Sequence, residues 1–129
     1  MQKNILYQDI PLDFKSHPIT GKINLLKNDK AIAQSIKNLV LTNKYEILFN
    51  SDIFSNVTYT LFQIIDSGDL ALLKVGIQTL LEYNEKRVTV LNVSYREEIT
   101  NNGFTIDIEY VIENSTTANS ISIFLERIR

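Results

Sequence analysis

Cysteine and tryptophan are absent from the 129 residues, and there is a single histidine, His17. Without cysteine there is no disulfide, no thiolate metal site and no cysteine nucleophile, and one histidine leaves no His pair for zinc. Only four glycines occur, scattered along the chain, and they form neither a G-x-x-x-x-G-K-[ST] nor a G-x-G-x-x-G phosphate loop. No apolar run approaches the roughly 20 residues that a membrane helix needs, and the N-terminus lacks a signal-peptide core. Thirteen Lys and Arg against fifteen Asp and Glu give a net charge of -2, with no basic run. That balance argues against nonspecific duplex binding, which depends on neutralising many phosphates. What is present, 44% hydrophobic and 22% charged residues, is the composition of one soluble globular domain spanning 1–129, assembled in the cytoplasm.

Periodicity divides that domain into helices first and strands afterwards, an α+β order. Ile10, Leu12 and Phe14 alternate with polar neighbours around Pro11, then His17-Pro18-Ile19-Thr20-Gly21 reads as a turn, so the N-terminal region is expected to be a hairpin or arm. Asn28 and Asp29 are candidate caps for a helix from about Asp29 to Leu41, in which Ile32, Ile36, Leu39 and Val40 form one stripe. The connection Lys44–Phe54 is rich in apolar residues and should be pinned against the body or against a partner. Asn56 offers a cap for a short second helix. Asp66-Ser67-Gly68-Asp69 should break it, with Asp69 capping a third, longer helix striped by Leu70, Leu73, Ile77 and Leu80. Gly76 within that helix suggests close approach by another element.

After Tyr83 the period falls to two. Val88–Ile99 reads as a long strand whose apolar phase slips between Val90 and Leu91, which calls for a bulge or burial on both faces. Asn102-Gly103 signals a type I′ hairpin with positive φ at both residues. Phe104, Ile106, Ile108, Tyr110 and Ile112 then mark a strand with one dry face, and after the polar loop Asn114–Asn119 a last strand completes a three-stranded antiparallel meander.

Candidate chemistry is sparse. His17 lies in a turn with no nucleophile motif nearby and reads as an exposed loop residue. Asp66 and Asp69 lack the twelve-residue acidic spacing of a calcium loop. Glu46 and Asp52 form the one loop pair suited to glycoside hydrolysis, with Tyr45 as the sole ring to stack a sugar. Glu82, Glu85, Lys86 and Arg87 cluster where the long helix passes into the long strand. Glu85 and Arg87 there form either an exposed intrachain pair, worth at most about 1 kcal/mol, or a site from which Arg87 reaches a carboxylate or carbonyl of a partner chain.

The helix Lys27–Leu39 with its A-I-x-Q-S-I-x-N-L run, the loop aromatics Phe49 and Phe54, Asn56–Phe62, and Glu85-Lys86-Arg87 stand in an order that resembles a known family. It is the small baseplate wedge protein of contractile phage tails, a family called lysozyme-like, with relatives in type VI secretion and R-type tailocins. The resemblance runs from about Leu25 to Leu125. Ile47, Leu48 and Ser55 depart from the family's R-P-F-x-P-x-F-G loop, and Lys86 replaces the proline of its E-P-R motif. The resemblance implies a fold like the inner domain of contractile sheath subunits. It implies a structural, non-enzymatic role in which the protein joins the wedge core and templates the first sheath ring by strand addition. Glu85 and Arg87 would meet the wedge core, Phe49 and Phe54 would be partner-binding aromatics, and Ser120–Ile128, probed at Ser122, is the candidate docking edge. Implied partners are other wedge subunits, the sheath subunit and tail tube or hub proteins, with no nucleic acid, membrane, metal or cofactor, and the implied location is the virion. The alternatives are a peptidoglycan-cleaving glycosidase using Glu46 and Asp52, and a free-standing strand-addition adaptor.

Overall fold

The structure, a computed structural model, describes residues 7–43, 46–55, 57 and 67–126. Its elements follow the order β1 (Gln8–Asp9), β2 (Leu26–Lys27), α1 (Asp29–Leu41), α2 (Ser67–Asn84), β3 (Val88–Glu98), β4 (Gly103–Ile112) and β5 (Ala118–Glu126). This is an α+β chain with two antiparallel sheets, β1-β2 and β3-β4-β5. The expected short helix lies outside the described residues except for Val57, whose side chain is fully buried.

α1 forms where its stripe predicts. Ile32, Ile36 and Val40 are completely buried, each stabilising the fold by about 1.5–3 kcal/mol relative to exposure. It starts at Asp29 as expected, with Asn28 in the cap position, but Asn28 makes no side-chain cap bond. Its Oδ1 instead accepts the Tyr7 N–H at 3.2 Å, so the arm takes the acceptor that the helix end would otherwise use. α2 begins at Ser67 rather than Asp69, which places Ser67, Gly68 and Asp69 inside the helix. Leu73, Ile77, Leu80 and Leu81 face the core, and a Cβ added at Gly76 would meet no atom within 4 Å. Among the described residues no element approaches that glycine.

The sheet carries the period-two pattern. Val88, Val90 and Val93 of β3 stand opposite Ile112, Tyr110 and Ile108 of β4, and Ile106 and Phe104 stand opposite Ile123 and Leu125 of β5. These side chains merge with those of α1, α2 and Val57 into one core. The phase slip in β3 is a bulge between Val90 and Asn92. One extra residue there restores Val93 to the dry face, where a regular strand would have turned it to water.

The β3–β4 turn is longer than expected. Glu98 pairs with Gly103, so Ile99–Asn102 form a four-residue connection closed by the Asn101 N–H to Glu98 carbonyl bond (3.2 Å) and the Asn102 N–H to Ile99 carbonyl bond (3.3 Å). Asn102 has φ 48°, but Gly103 is not among the positive-φ glycines. Glycine is required there for space. A Cβ at 103 would run into the Leu125 carbonyl oxygen and come within 2.8 Å of the Phe124 ring, which lies across this position. Gly103→Ala is therefore expected to cost about 1–3 kcal/mol through overpacking, read as a lower urea midpoint; a midpoint equal to wild type would show that β5 shifts freely.

Candidate functional site

The charged turn after α2 is an internal joint, not the exposed pair that its composition suggests. Glu85 is only 4% exposed. Arg87 embraces its carboxylate from both sides, Nε donating to Oε1 and Nη2 to Oε2, each at 2.6 Å. Ser35 Oγ, fifty residues earlier on α1, donates to the same Oε2 at 2.5 Å. The Glu85 N–H continues the helix to the Leu81 carbonyl at 2.8 Å, and the Arg87 carbonyl accepts the Glu113 N–H at 2.7 Å. Arg87 also stacks over Tyr7, 5.1 Å from the ring centroid. One ion pair thus touches the arm, both helices and the β4–β5 connection. Composition signals the charges but not their burial, because Ser35 is distant in sequence and α1 and α2 must pack before it arrives.

Burial pushes the Glu85 carboxyl up. The hydrogen bonds from Arg87 and Ser35, together with the Arg87 charge, outweigh that and leave its pKa below the ordinary value. Arg87 is raised in turn, first by its bond to Glu85.

The loop after α1 divides in two. Ser55 is buried, its hydroxyl donating to the Val40 carbonyl and its N–H to the Thr42 carbonyl at 2.9 Å, and Ile53 and Phe54 are half-buried. Leu48 is 80% exposed and Phe49 fully so, at φ 64°. Phe54 is therefore held by the body, whereas Phe49 is presented outward. Glu46 and Asp52 are both exposed. Glu46 accepts the backbone N–H of Asn43 at 2.7 Å and its side-chain amide at 2.9 Å; these bonds hold its carboxyl below the usual range, the reverse of what a general acid needs. Tyr45 lies outside the described residues. His17 closes its own turn, its Nδ1 accepting from Ile19 and Thr20 at 3.2 and 3.3 Å.

Ser122 lies on the polar face of β5, directly opposite Asp107 of β4, and its hydroxyl donates to Asp107 Oδ1. Arg96 of β3 donates to Asp107 Oδ2 at 2.9 Å, so one carboxylate links three strands. Its pKa is lowered by Ser122 first and Arg96 second. Among the described residues β5 pairs with β4 alone and has no strand on its other side. The two edges of this sheet are unlike. β3 is bulged and carries Arg96, Glu97 and Glu98, features that discourage pairing, whereas β5 has no proline, no lysine and one charge, Glu126.

A further surface was not singled out by the stripe of α2. Leu72, at 73% exposure, Val75 and Tyr83 project from its outer side. They are visible in the sequence as apolar residues off the core stripe, since a helix apolar on both sides is ordinarily covered on both. Among the described residues no group of three His, Asp or Glu could hold a metal, and no helix is long and apolar enough to cross a membrane.

Glu85→Ala should lower stability by about 2–4 kcal/mol, because it strands a half-buried guanidinium and the Ser35 hydroxyl. A carboxyl whose folded pKa is depressed stabilises the fold above its unfolded pKa, and that contribution fades as pH falls through the lower folded value. The gap in urea stability between wild type and Glu85→Gln should therefore be full at neutral pH and shrink below the ordinary carboxylate value of 4.5. A pH-independent gap would contradict the burial of an ionised Glu85.

No family profile and no curated protein matches the chain. Solved structures share its fold, and two of them illustrate the likeness. One is the crystal structure of a provisionally named tail lysozyme from Geobacter sulfurreducens, 23% identical, with a TM-score of 0.68 over 76% of this chain and 89% of that one. The other is a chain of the anti-feeding prophage baseplate, determined by electron cryo-microscopy, 15% identical, with a TM-score of 0.63 over 95% of this chain and 87% of that one.

Proposed function

We propose that this protein is a structural component of the baseplate wedge of a contractile tail or injection machine, and that it nucleates the sheath by strand addition at β5. The observation that carries the reading is the likeness of nearly the whole chain, 95% of it, to a chain of the anti-feeding prophage baseplate. The edges of the sheet support the mechanism. An incoming strand needs a row of free main-chain donors and acceptors, and β5 offers that row without the bulge and charges that blunt β3. Phe49, Leu48 and the outer side of α2 add apolar contact surface of the kind that neighbouring wedge subunits cover. The partners in this reading are other wedge subunits, the sheath subunit and tail tube or hub proteins, and the location is the tail baseplate of the particle. Glu85 contributes by holding the elements in register, and Arg87 is the member of the pair with surface left to meet a partner.

The name of the Geobacter sulfurreducens neighbour brings forward a second reading, a wall-cleaving glycosidase. Glu46 weighs against it: a carboxylate ionised by two Asn43 donors is poorly suited to protonate a glycosidic oxygen. Both readings are tested on one set of proteins. Wild type, Glu46→Gln and Asp52→Asn are expected to leave purified peptidoglycan intact and to support tail assembly equally. Ser122→Pro, with circular dichroism unchanged, is expected to give baseplates with few or short sheaths, because proline removes a ladder donor and clashes with a pairing strand. Saturable wall hydrolysis lost in either carboxylate variant would establish the glycosidase, and normal sheaths on folded Ser122→Pro would remove β5 as the docking edge.

A further inference from the structure

Residues 7–27 form a two-stranded arm whose strands pair only briefly. Gln8 and Asp9 pair with Lys27 and Leu26 at the base, and one isolated bridge joins Ser16 to Ile23. Leu12, Phe14 and Ile19 are exposed. A ribbon of this kind, with its apolar side chains in water, is not stable by itself, so what holds it is its attachment at one end. There the Tyr7 N–H donates to Asn28 Oδ1 at 3.2 Å and the Asn28 N–H to the Tyr7 carbonyl at 2.8 Å. Gln34 of α1 donates through Nε2 to Asp9 Oδ2 at 3.1 Å and to the Ile10 carbonyl at 2.8 Å. The Tyr7 ring packs on the core and lies under the Arg87 guanidinium, 5.1 Å from centroid to carbon.

We propose that the arm is a strap that opens and closes as one unit, and that the stack of Tyr7 on Arg87 is its clasp. Arg87 does not need the strap to stay in place, because Glu85 fixes it through two bonds. Opening therefore separates Tyr7 from Arg87 while the joint itself stays closed, and it uncovers the face of the guanidinium that the ring had covered. A segment with few buried contacts and a localised attachment belongs to the low-stability end of a fold, where it opens without global unfolding. Arg87 is thus a positioning residue for the strap as well as the partner of Glu85.

Hydrogen–deuterium exchange on the full chain tests this with two variants. Tyr7→Leu keeps an apolar body against the core and removes the ring face, while Gln34→Ala removes two donors from the surface of α1. In both, the amides of residues 8–27 should exchange faster as a group, by about tenfold for Tyr7→Leu, with the β3–β4 ladder amides at wild-type rates. Unchanged arm amides in Tyr7→Leu would overturn the clasp. Acceleration confined to the neighbours of each substituted residue, or equal acceleration of arm and sheet, would overturn the strap as a unit.

Discussion

The Glu85 carboxylate sits at the end of α2 with almost no access to water, and an ion so placed persists only when its oxygens are satisfied by charged or strongly polar donors. Arg87 supplies two such donors and Ser35 a third. Meeting that requirement fixes much else. Ser35 can reach only when α1 lies beside the end of α2, and Arg87 can reach only when the chain turns sharply before β3. The carbonyl of Arg87 then receives Glu113 from the β4–β5 connection, and its guanidinium receives the ring of Tyr7 from the arm. The apolar core contributes most of the burial energy, but a non-directional core does not by itself choose how helices and strands meet end to end. The ion pair does.

Local pattern made most of the elements legible. The stripe of α1 sets its face and its end at Leu41, and the phase slip between Val90 and Leu91 locates the bulge, because side-chain period in a strand is two and a slip must be absorbed somewhere. Features that depend on distant residues were not legible. Asn28 gives its side-chain oxygen to Tyr7, twenty-one residues earlier, instead of to its own helix. Gly103 reads as a turn glycine but is needed because Phe124 of β5 crosses it. Glu85 and Arg87 could be found as a cluster from composition, yet nothing within the turn reports the Ser35 hydroxyl that helps satisfy the buried Glu85 carboxylate. Of the two loop aromatics, sequence could not tell that Phe54 belongs to the body and Phe49 to the outside.

The surface has its own logic. Large apolar side chains are exposed on the arm, at the tip of the loop after α1 and on the outer side of α2, and the edge of β5 is left without the usual deterrents to pairing. A free-standing monomer gains nothing from these features and risks association through each of them. Under the proposed role in a larger machine, these are the places where neighbouring subunits would complete the burial. The polar ladder of Arg96, Asp107 and Ser122 lies among them, linking the three strands through a single carboxylate.

The charged turn is the internal joint to which the arm, both described helices and the β4–β5 connection are tied. A double-mutant cycle between Glu85 and Arg87 measures that directly, using Glu85→Gln, Arg87→Met and the double variant, with stability taken from urea unfolding. The structure predicts a coupling of about 2 kcal/mol or more, the value expected of a doubly hydrogen-bonded pair whose carboxylate is buried. A coupling below about 0.5 kcal/mol, the value of exposed ion pairs, would contradict it.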